Sequence, residues 1–313
     1  FLMKGADFFV EGSSSIAKRL KVPPIIIGLT IVAMGTSLPE TAVSVTASLV
    51  NNNELAVSNV VGSNIFNLMV VVGVCSILTP ILVQKETIKR DIPFSMICAF
   101  LLLGLGILAV GDKSGMTLGH LDGMILLGFF AGYIVAMIQS AMKARAAGKN
   151  VEIEGIEELE EEIGILSWPK SILFIVGGAL AIAFGGDLTV DAASRIAIDL
   201  GMSQTLVGLT IVSIGTSLPE LVTSVVAARK NEVDMAVGNA VGSNIFNILM
   251  VLGIASAINP VALIRENIID IVILIVFSLI VWIYAATKRK ISRKEGISMV
   301  CLYLIYAGYI IWR

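Results

Sequence analysis

Two glutamates lie inside apolar stretches that are long enough to cross a membrane. Glu40 and Glu220 each end a copy of the sequence GTSLPE. A charged side chain at the centre of a bilayer costs about 3 kcal/mol or more, so an ionisable residue there indicates a functional site. Pro39 and Pro219 each remove a backbone donor and predict an interrupted helix. The pair therefore predicts a binding site at membrane depth.

The residues around these glutamates offer oxygen atoms and amide groups. The interrupted helices free carbonyl oxygens near residues 33–36 and 213–216, which must line a cavity or be buried in protein. Helical spacing places Thr36 and Ser37 on the face that carries Glu40. The next apolar run of each copy carries a polar stripe at four-residue spacing, formed by Asn59, Ser63 and Asn67 and by Asn239, Ser243 and Asn247. This set of groups suits a hard cation.

The charge of the two carboxylates favours Ca²⁺ as that cation. Two negative charges balance one Ca²⁺, which takes about 6–8 oxygen ligands. After its release, monovalent cations or protons should replace it, because bare carboxylates in a membrane are costly. The pattern therefore predicts an antiporter more than a passive channel. We predict no cofactor, no enzymatic activity and no nucleic-acid partner.

The composition predicts an all-α polytopic membrane protein. The chain is 56% hydrophobic and 15% charged, and many of its apolar runs reach the roughly 20 residues that span a bilayer. We predict nine full spans and a partial one at 1–17. The full spans are 24–50, 56–80, 91–110, 121–142, 169–186, 204–228, 235–259, 267–286 and 296–312.

An internal repeat organises these spans. At an offset of 180 residues, 29 of the 53 positions from 28 to 80 are identical to their mates. We predict a first repeat at 1–142, an acidic cytoplasmic linker at 143–168 and a second repeat at 169–313. The offset leaves residues 169–180 without mates, so we expect further apolar residues before Phe1 that complete a tenth helix.

The distribution of lysine and arginine predicts how the repeats are oriented. With the start of the chain outside, seventeen of the 22 Lys and Arg residues fall in inside loops, as the positive-inside rule requires. Five helices per repeat then invert the second repeat relative to the first. Inverted repeats are typical of secondary transporters, whose site lies where the repeats meet. We predict a monomer in the lipid bilayer of the cell membrane, with both termini outside.

The paired motifs GTSLPE and GSNIFN, in two five-helix halves, resemble the repeats of the calcium/cation antiporter superfamily. The likeness is greatest to its prokaryotic sodium/calcium exchanger-like members. The resemblance implies a ten-helix fold in which the second and third helices of each half form the ion sites. It also implies that the first and sixth helices slide against the rest to alternate access.

The resemblance further implies a role for each site residue. Glu40 and Glu220 would be the central Ca²⁺ ligands, and the carbonyls of Thr36 and Thr216 would complete that site. Asn67 and Asn247 would line the centre; at position 247 some relatives carry Asp. The flanking sodium sites would be formed by Ser37, Ser63, Ser217 and Ser243, with the carbonyls of Ala33 and Ser213.

The counter-ion stays open at this point. The intact Thr-Ser pairs in both GTSLPE copies favour Na⁺. The glutamate-rich segment 152–162 is similar to an acidic helix of the proton-coupled branch of the superfamily, which favours H⁺. We therefore expect exchange of Ca²⁺ for Na⁺, with H⁺/Ca²⁺ antiport and a passive cation channel as alternatives.

Overall fold

A computed structural model describes residues 1–49, 53–108, 116–146, 165–201 and 213–312. These residues form an all-helical bundle with two short strand pairs. The α-helices are α1 Leu2–Leu20, α2 Pro24–Ile27, α3 Ala33–Thr36, α4 Leu38–Leu49, α5 Asn53–Phe66, α6 Val72–Leu78, α7 Ile92–Ile107, α8 His120–Ala146, α9 Trp168–Asp199, α10 Ser213–Thr216, α11 Leu218–Arg229, α12 Val233–Phe246, α13 Leu252–Ile258, α14 Arg265–Lys288 and α15 Arg293–Trp312.

Among the described residues, four π-helical turns join or begin some of these helices. They are π1 Gly28–Val32, π2 Asn67–Val71, π3 Thr87–Asp91 and π4 Asn247–Val251. In π2, the Val72 amide donates to the Asn67 carbonyl, five residues back. Such turns insert one residue into an α-helix and occur frequently at functional sites.

Within the described residues, seven continuous helices are long and apolar enough to cross a membrane. An eighth span is bent by 49° between Pro24–Thr36 and Leu38–Leu49, which confirms the interruption predicted at GTSLPE. The chain is therefore an all-α polytopic membrane protein. The predicted span at 1–17 corresponds to α1. The predicted span at 204–228 is described only from residue 213, where it forms α10 and α11. The acidic segment 152–162 lies outside the described residues.

The two central helices are those that carry the polar stripes. The spans 56–78 and 233–258 are each buried over 78% of their most apolar stretch, whereas 293–312 is buried over only 17%. Several spans are longer than predicted, α9 by the most. The helix predicted at 169–186 runs from Trp168 to Asp199, and α8 continues into the predicted linker as far as Ala146.

The elements repeat at an offset of 180 residues. The bounds of α4, α5, π2 and α6, each increased by 180, give those of α11, α12, π4 and α13. The strand β1, Ile81–Leu82, is likewise the mate of β3, Val261–Ala262. The local structure therefore follows the sequence repeat closely.

Both strand pairs join one half of the chain to the other. β1 pairs antiparallel with β4, Lys290–Ile291, and β3 pairs antiparallel with β2, Thr117–Leu118. β1 precedes the span 87–107 and β2 follows it. The two pairs therefore lie at opposite ends of this span, and so do the repeat mates β1 and β3.

The central helix α12 approaches the segment formed by α2 and π1 through glycine. A Cβ atom built on Gly238 in α12 would lie 2.7 Å from the Ile25 carbonyl oxygen and 3.1 Å from the Gly28 Cα atom. These distances are shorter than van der Waals contact, so only glycine allows the two backbones to come this close. The contact packs α12 against the helix that leads to the first GTSLPE copy.

We predict that Gly238→Ala lowers the free energy of unfolding by about 1–3 kcal/mol, because the added methyl overpacks this contact. The matched control is Gly104→Ala, whose Cβ would meet no described atom within 4 Å. The measurement is the thermal unfolding of purified protein in detergent. Equal melting temperatures for the two variants would contradict the prediction.

Candidate functional site

The two helix breaks place both glutamates at the beginning of a helix. Ser37 separates α3 from α4, and Ser217 separates α10 from α11. Glu40 and Glu220 lie in the first turns of α4 and α11, and both are fully buried. The proline before each glutamate is tolerated there, because the first-turn amides lack intrahelical partners. A helix N-terminus also favours a nearby negative charge.

The serine at each break contacts the glutamate of the other half. Ser37 Oγ donates to Glu220 Oε1 at 2.9 Å. Its repeat mate, Ser217 Oγ, lies 3.4 Å from Glu40 Oε1 and 2.8 Å from Ser63 Oγ. Ser63 Oγ itself lies 3.4 Å from Glu40 Oε1. The hydrogen bonds thus cross between the two halves, and the two carboxylates share one polar cluster.

The threonines before the breaks are held by asparagines of the opposite half. Thr36 Oγ1 donates to Asn239 Oδ1 at 3.0 Å, and Thr216 Oγ1 donates to Asn59 Oδ1 at 3.2 Å. Both asparagines belong to the predicted polar stripes but not to the predicted site residues. Their spacing of four residues from Ser243 and Ser63 is the signal that could have identified them as site residues.

The side-chain nitrogen of each of these two asparagines donates a hydrogen bond within its own half. Asn239 Nδ2 donates to Ser224 Oγ at 2.9 Å, and Asn59 Nδ2 donates to Ser44 Oγ at 3.2 Å. All four residues are buried. Each asparagine therefore fixes a threonine of the other half against a helix of its own half.

Asn67 and Asn247 begin the π-helical turns π2 and π4 and are fully buried. Asn67 Nδ2 donates to Asn244 Oδ1 at 3.2 Å, and Asn247 Nδ2 donates to Asn64 Oδ1 at 3.2 Å. Neither Asn64 nor Asn244 belongs to the predicted polar stripes or to the predicted site residues. The structure instead bonds both directly to predicted site residues.

The remaining predicted residues lie at the edge of this cluster. Ser243 Oγ lies 3.5 Å from Thr36 Oγ1. The Ala33 carbonyl accepts the backbone amide of Ser37 at 3.0 Å. Ser213 begins α10, and its side chain lies outside the described set. The Ser217 amide donates to the Ile214 carbonyl at 3.1 Å.

Four buried oxygen atoms of the cluster accept no hydrogen bond from any described residue. They are Glu40 Oε2, Glu220 Oε2, Asn67 Oδ1 and Asn247 Oδ1. Leaving a buried acceptor unpaired costs about 1–3 kcal/mol, and more when it is charged. Carboxylate and amide oxygens of this kind are ligands for a hard cation. Two carboxylate and two amide oxygens match the hard ligands that Ca²⁺ selects.

The family comparison agrees with this chemistry. A family model described as "Sodium/calcium exchanger protein" matches residues 1–139 and 170–312. The chain belongs to the sodium/calcium exchanger family. This confirms the predicted resemblance and gives the chain its function class, calcium/cation antiport across a membrane.

Relatives in this family align over almost the whole chain. A protein named putative antiporter CaxA, from Alkalimonas amylolytica, is 38% identical over 97% of this chain and 93% of its own length. The sodium/calcium exchanger MaX1, from Methanosarcina acetivorans, is 33% identical over 98% of this chain and 94% of its own length. A solved structure of the sodium-calcium exchanger NCX_Mj superposes with a TM-score of 0.81 at 32% identity, covering 98% of this chain and 94% of that one.

We predict that Asn239→Ala and Asn59→Ala each lower the free energy of unfolding by about 1–2 kcal/mol, because each removes hydrogen bonds between helices in a membrane-embedded bundle. The control is Ser76→Ala, which removes a buried bond within one helix, from Ser76 Oγ to the Val72 carbonyl. Thermal unfolding in detergent measures all three. An equal loss of unfolding free energy in the control would show that bonds between the halves stabilise the protein no more than a bond within one helix.

Proposed function

We propose that this sodium/calcium exchanger family member exchanges Ca²⁺ for Na⁺ across the cell membrane by alternating access, with Glu40 and Glu220 as the central Ca²⁺ ligands. The observation that carries the proposal is the set of four buried, unpaired oxygens supplied symmetrically by the two halves. Neither half alone provides the two negative charges that balance one Ca²⁺. The ion therefore binds where the halves meet.

The proposed Ca²⁺ site takes its other ligands from neutral oxygens. Asn67 and Asn247 contribute their amide oxygens, and Thr36 and Thr216 contribute their backbone carbonyls. The proposed Na⁺ sites flank it. They use the hydroxyls of Ser37, Ser63, Ser217 and Ser243 with the carbonyls of Ala33 and Ser213. Support comes from Ser37, Ser63 and Ser217, whose hydroxyls already lie within hydrogen-bond distance of a glutamate oxygen.

Exchange follows from the sharing of the two carboxylates. The serines that would bind Na⁺ contact the same glutamates that would bind Ca²⁺, so the two ions compete for one set of charges. A site emptied of both would leave two buried carboxylates without counter-charge, which a membrane interior penalises strongly. The binding site therefore switches between the two sides of the membrane with one ion or the other bound.

We infer an architecture of ten helices in two inverted halves, 1–142 and 169–313, joined by the linker 143–168. The element bounds that repeat at an offset of 180 support the two halves. Their inversion is supported by β1 and β3, repeat mates that lie at opposite ends of the span 87–107. The positive-inside distribution supports an outside location for both termini, and we propose that the protein works as a monomer.

We further propose that α1 and α9 move together as the sliding unit. The two helices pack so closely that a Cβ atom on Gly178 would lie 2.7 Å from the Gly5 carbonyl oxygen. Neither helix contributes a residue to the four unpaired oxygens. A pair that is tightly packed internally but carries none of these oxygens can shift while the ligands stay in place.

We predict that Glu40→Gln and Glu220→Gln each reduce Ca²⁺ uptake to the level of protein-free vesicles, because each removes half of the charge that balances the ion. The matched control is Glu266→Gln, the same chemical change at an exposed position in α14, which should keep full activity. Uptake of radiolabelled Ca²⁺ into proteoliposomes is the measurement. Wild-type uptake by either site variant would refute the central assignment.

We predict that an outward Na⁺ gradient drives Ca²⁺ uptake and that a pH gradient alone does not. Proteoliposomes loaded with Na⁺ and diluted into Na⁺-free buffer are compared with vesicles that carry only a pH gradient. Uptake driven by the pH gradient would assign H⁺ as the counter-ion. Uptake without either gradient would indicate a passive channel.

A further inference from the structure

Asn64 and Asn244 form a reciprocal pair across the boundary between the two halves. Asn64 Nδ2 donates to the Asn244 backbone carbonyl at 3.1 Å, and Asn244 Nδ2 donates to the Asn64 carbonyl at 3.0 Å. Both side chains are buried, with no more than 1% of either exposed. Each side chain is therefore fixed in orientation by the backbone of the opposite half.

This orientation directs the side-chain oxygens of the pair towards Asn247 and Asn67. Asn64 Oδ1 accepts Asn247 Nδ2, and Asn244 Oδ1 accepts Asn67 Nδ2, both at 3.2 Å. The amide nitrogens of Asn67 and Asn247 are thereby engaged by asparagines of the opposite half. Their oxygens are the ones left without a hydrogen-bond partner.

The orientation of an amide matters greatly beside a cation. An asparagine side chain presents an acceptor oxygen on one side and two N–H donors on the other. Rotation by half a turn would aim N–H groups at the cation and remove one ligand. Nothing in the chemistry of Asn67 or Asn247 alone selects the correct face, so a neighbour must select it.

We propose that Asn64 and Asn244 are positioning residues that hold the amide oxygens of Asn247 and Asn67 towards the transported ion. The proposal rests on the proposed function of the site and adds two residues to it. Asparagine suits this role because its one side chain donates to the opposite carbonyl while accepting the neighbouring amide. Aspartate cannot donate, and a leucine of similar size can do neither.

The crosswise pairing makes the proposal testable by rescue. Asn64→Ala frees the amide of Asn247 to turn, and we expect the KM for Ca²⁺ to rise about tenfold, as for the loss of one oriented polar contact. In an Asn247→Asp background the residue carries oxygen on both sides, so its orientation no longer matters. There, adding Asn64→Ala should leave the KM within about twofold of Asn247→Asp alone.

The matched control combines Asn64→Ala with Asn67→Asp, a change at the asparagine that Asn64 does not hold. Asn67 is held by Asn244, so Asn67→Asp should not rescue Asn64→Ala, whereas it should rescue Asn244→Ala. Ser76→Ala, a buried change in α6 away from the site, should leave the KM unchanged. Ca²⁺ uptake in proteoliposomes, measured over a range of Ca²⁺ concentrations under an outward Na⁺ gradient, gives each KM.

The outcomes separate this proposal from the proposed function. The proposed function stands if wild type exchanges Ca²⁺ and Glu40→Gln does not. The positioning role is then overturned if Asn64→Ala raises the KM equally in the wild-type, Asn247→Asp and Asn67→Asp backgrounds. If wild type does not transport Ca²⁺, the proposed function itself fails. Size-exclusion chromatography of each purified variant shows whether it folds. Should Asn64→Ala not fold, Asn244→Ala is compared in the wild-type, Asn67→Asp and Asn247→Asp backgrounds, and an equal rise of KM in all three would also overturn the proposal.

Discussion

Charge balance in the buried interior of the bundle is the constraint on which this structure depends. Two fully buried carboxylates and two unpaired amide oxygens lie together at the boundary of the two halves. Without a cation, each unpaired acceptor would cost about 1–3 kcal/mol and each charge more. Under the proposed function, much of the surrounding geometry holds these oxygens in place for an ion that compensates them.

The crossed contacts explain why the site is built from two copies of one motif. Ser37 contacts Glu220, Thr36 contacts Asn239, and Asn64 bonds reciprocally to Asn244. Every one of these contacts joins one half to the other. The cluster therefore exists only when both halves are folded together, and a displacement of one half relative to the other changes all of these contacts at once.

Much of this site could be predicted from the sequence, because its strongest signals are local. A proline and a glutamate within an apolar run predict both the helix break and its function, and four-residue spacing identifies the polar stripes. The π-helical turns could not be predicted, because a shift of one hydrogen bond from i−4 to i−5 leaves no clear mark on hydrophobic spacing. The role of Asn64 was missed for a related reason. It lies about 100° around the helix from Ser63, and its partner is the backbone of a helix 180 residues away.

The two strand pairs carry a consequence for the ancestry of this fold. Each pair joins a strand of one half to a strand of the other, β1 to β4 and β2 to β3. A single ancestral unit on its own would have left its strand edges unpaired and its glutamate without the opposing serine. Two copies of the unit, arranged as in the inverted architecture proposed above, are the smallest assembly that satisfies these groups. With both copies in one chain, each half can carry its own substitutions without losing its partner, such as serine at position 58 opposite glycine at 238.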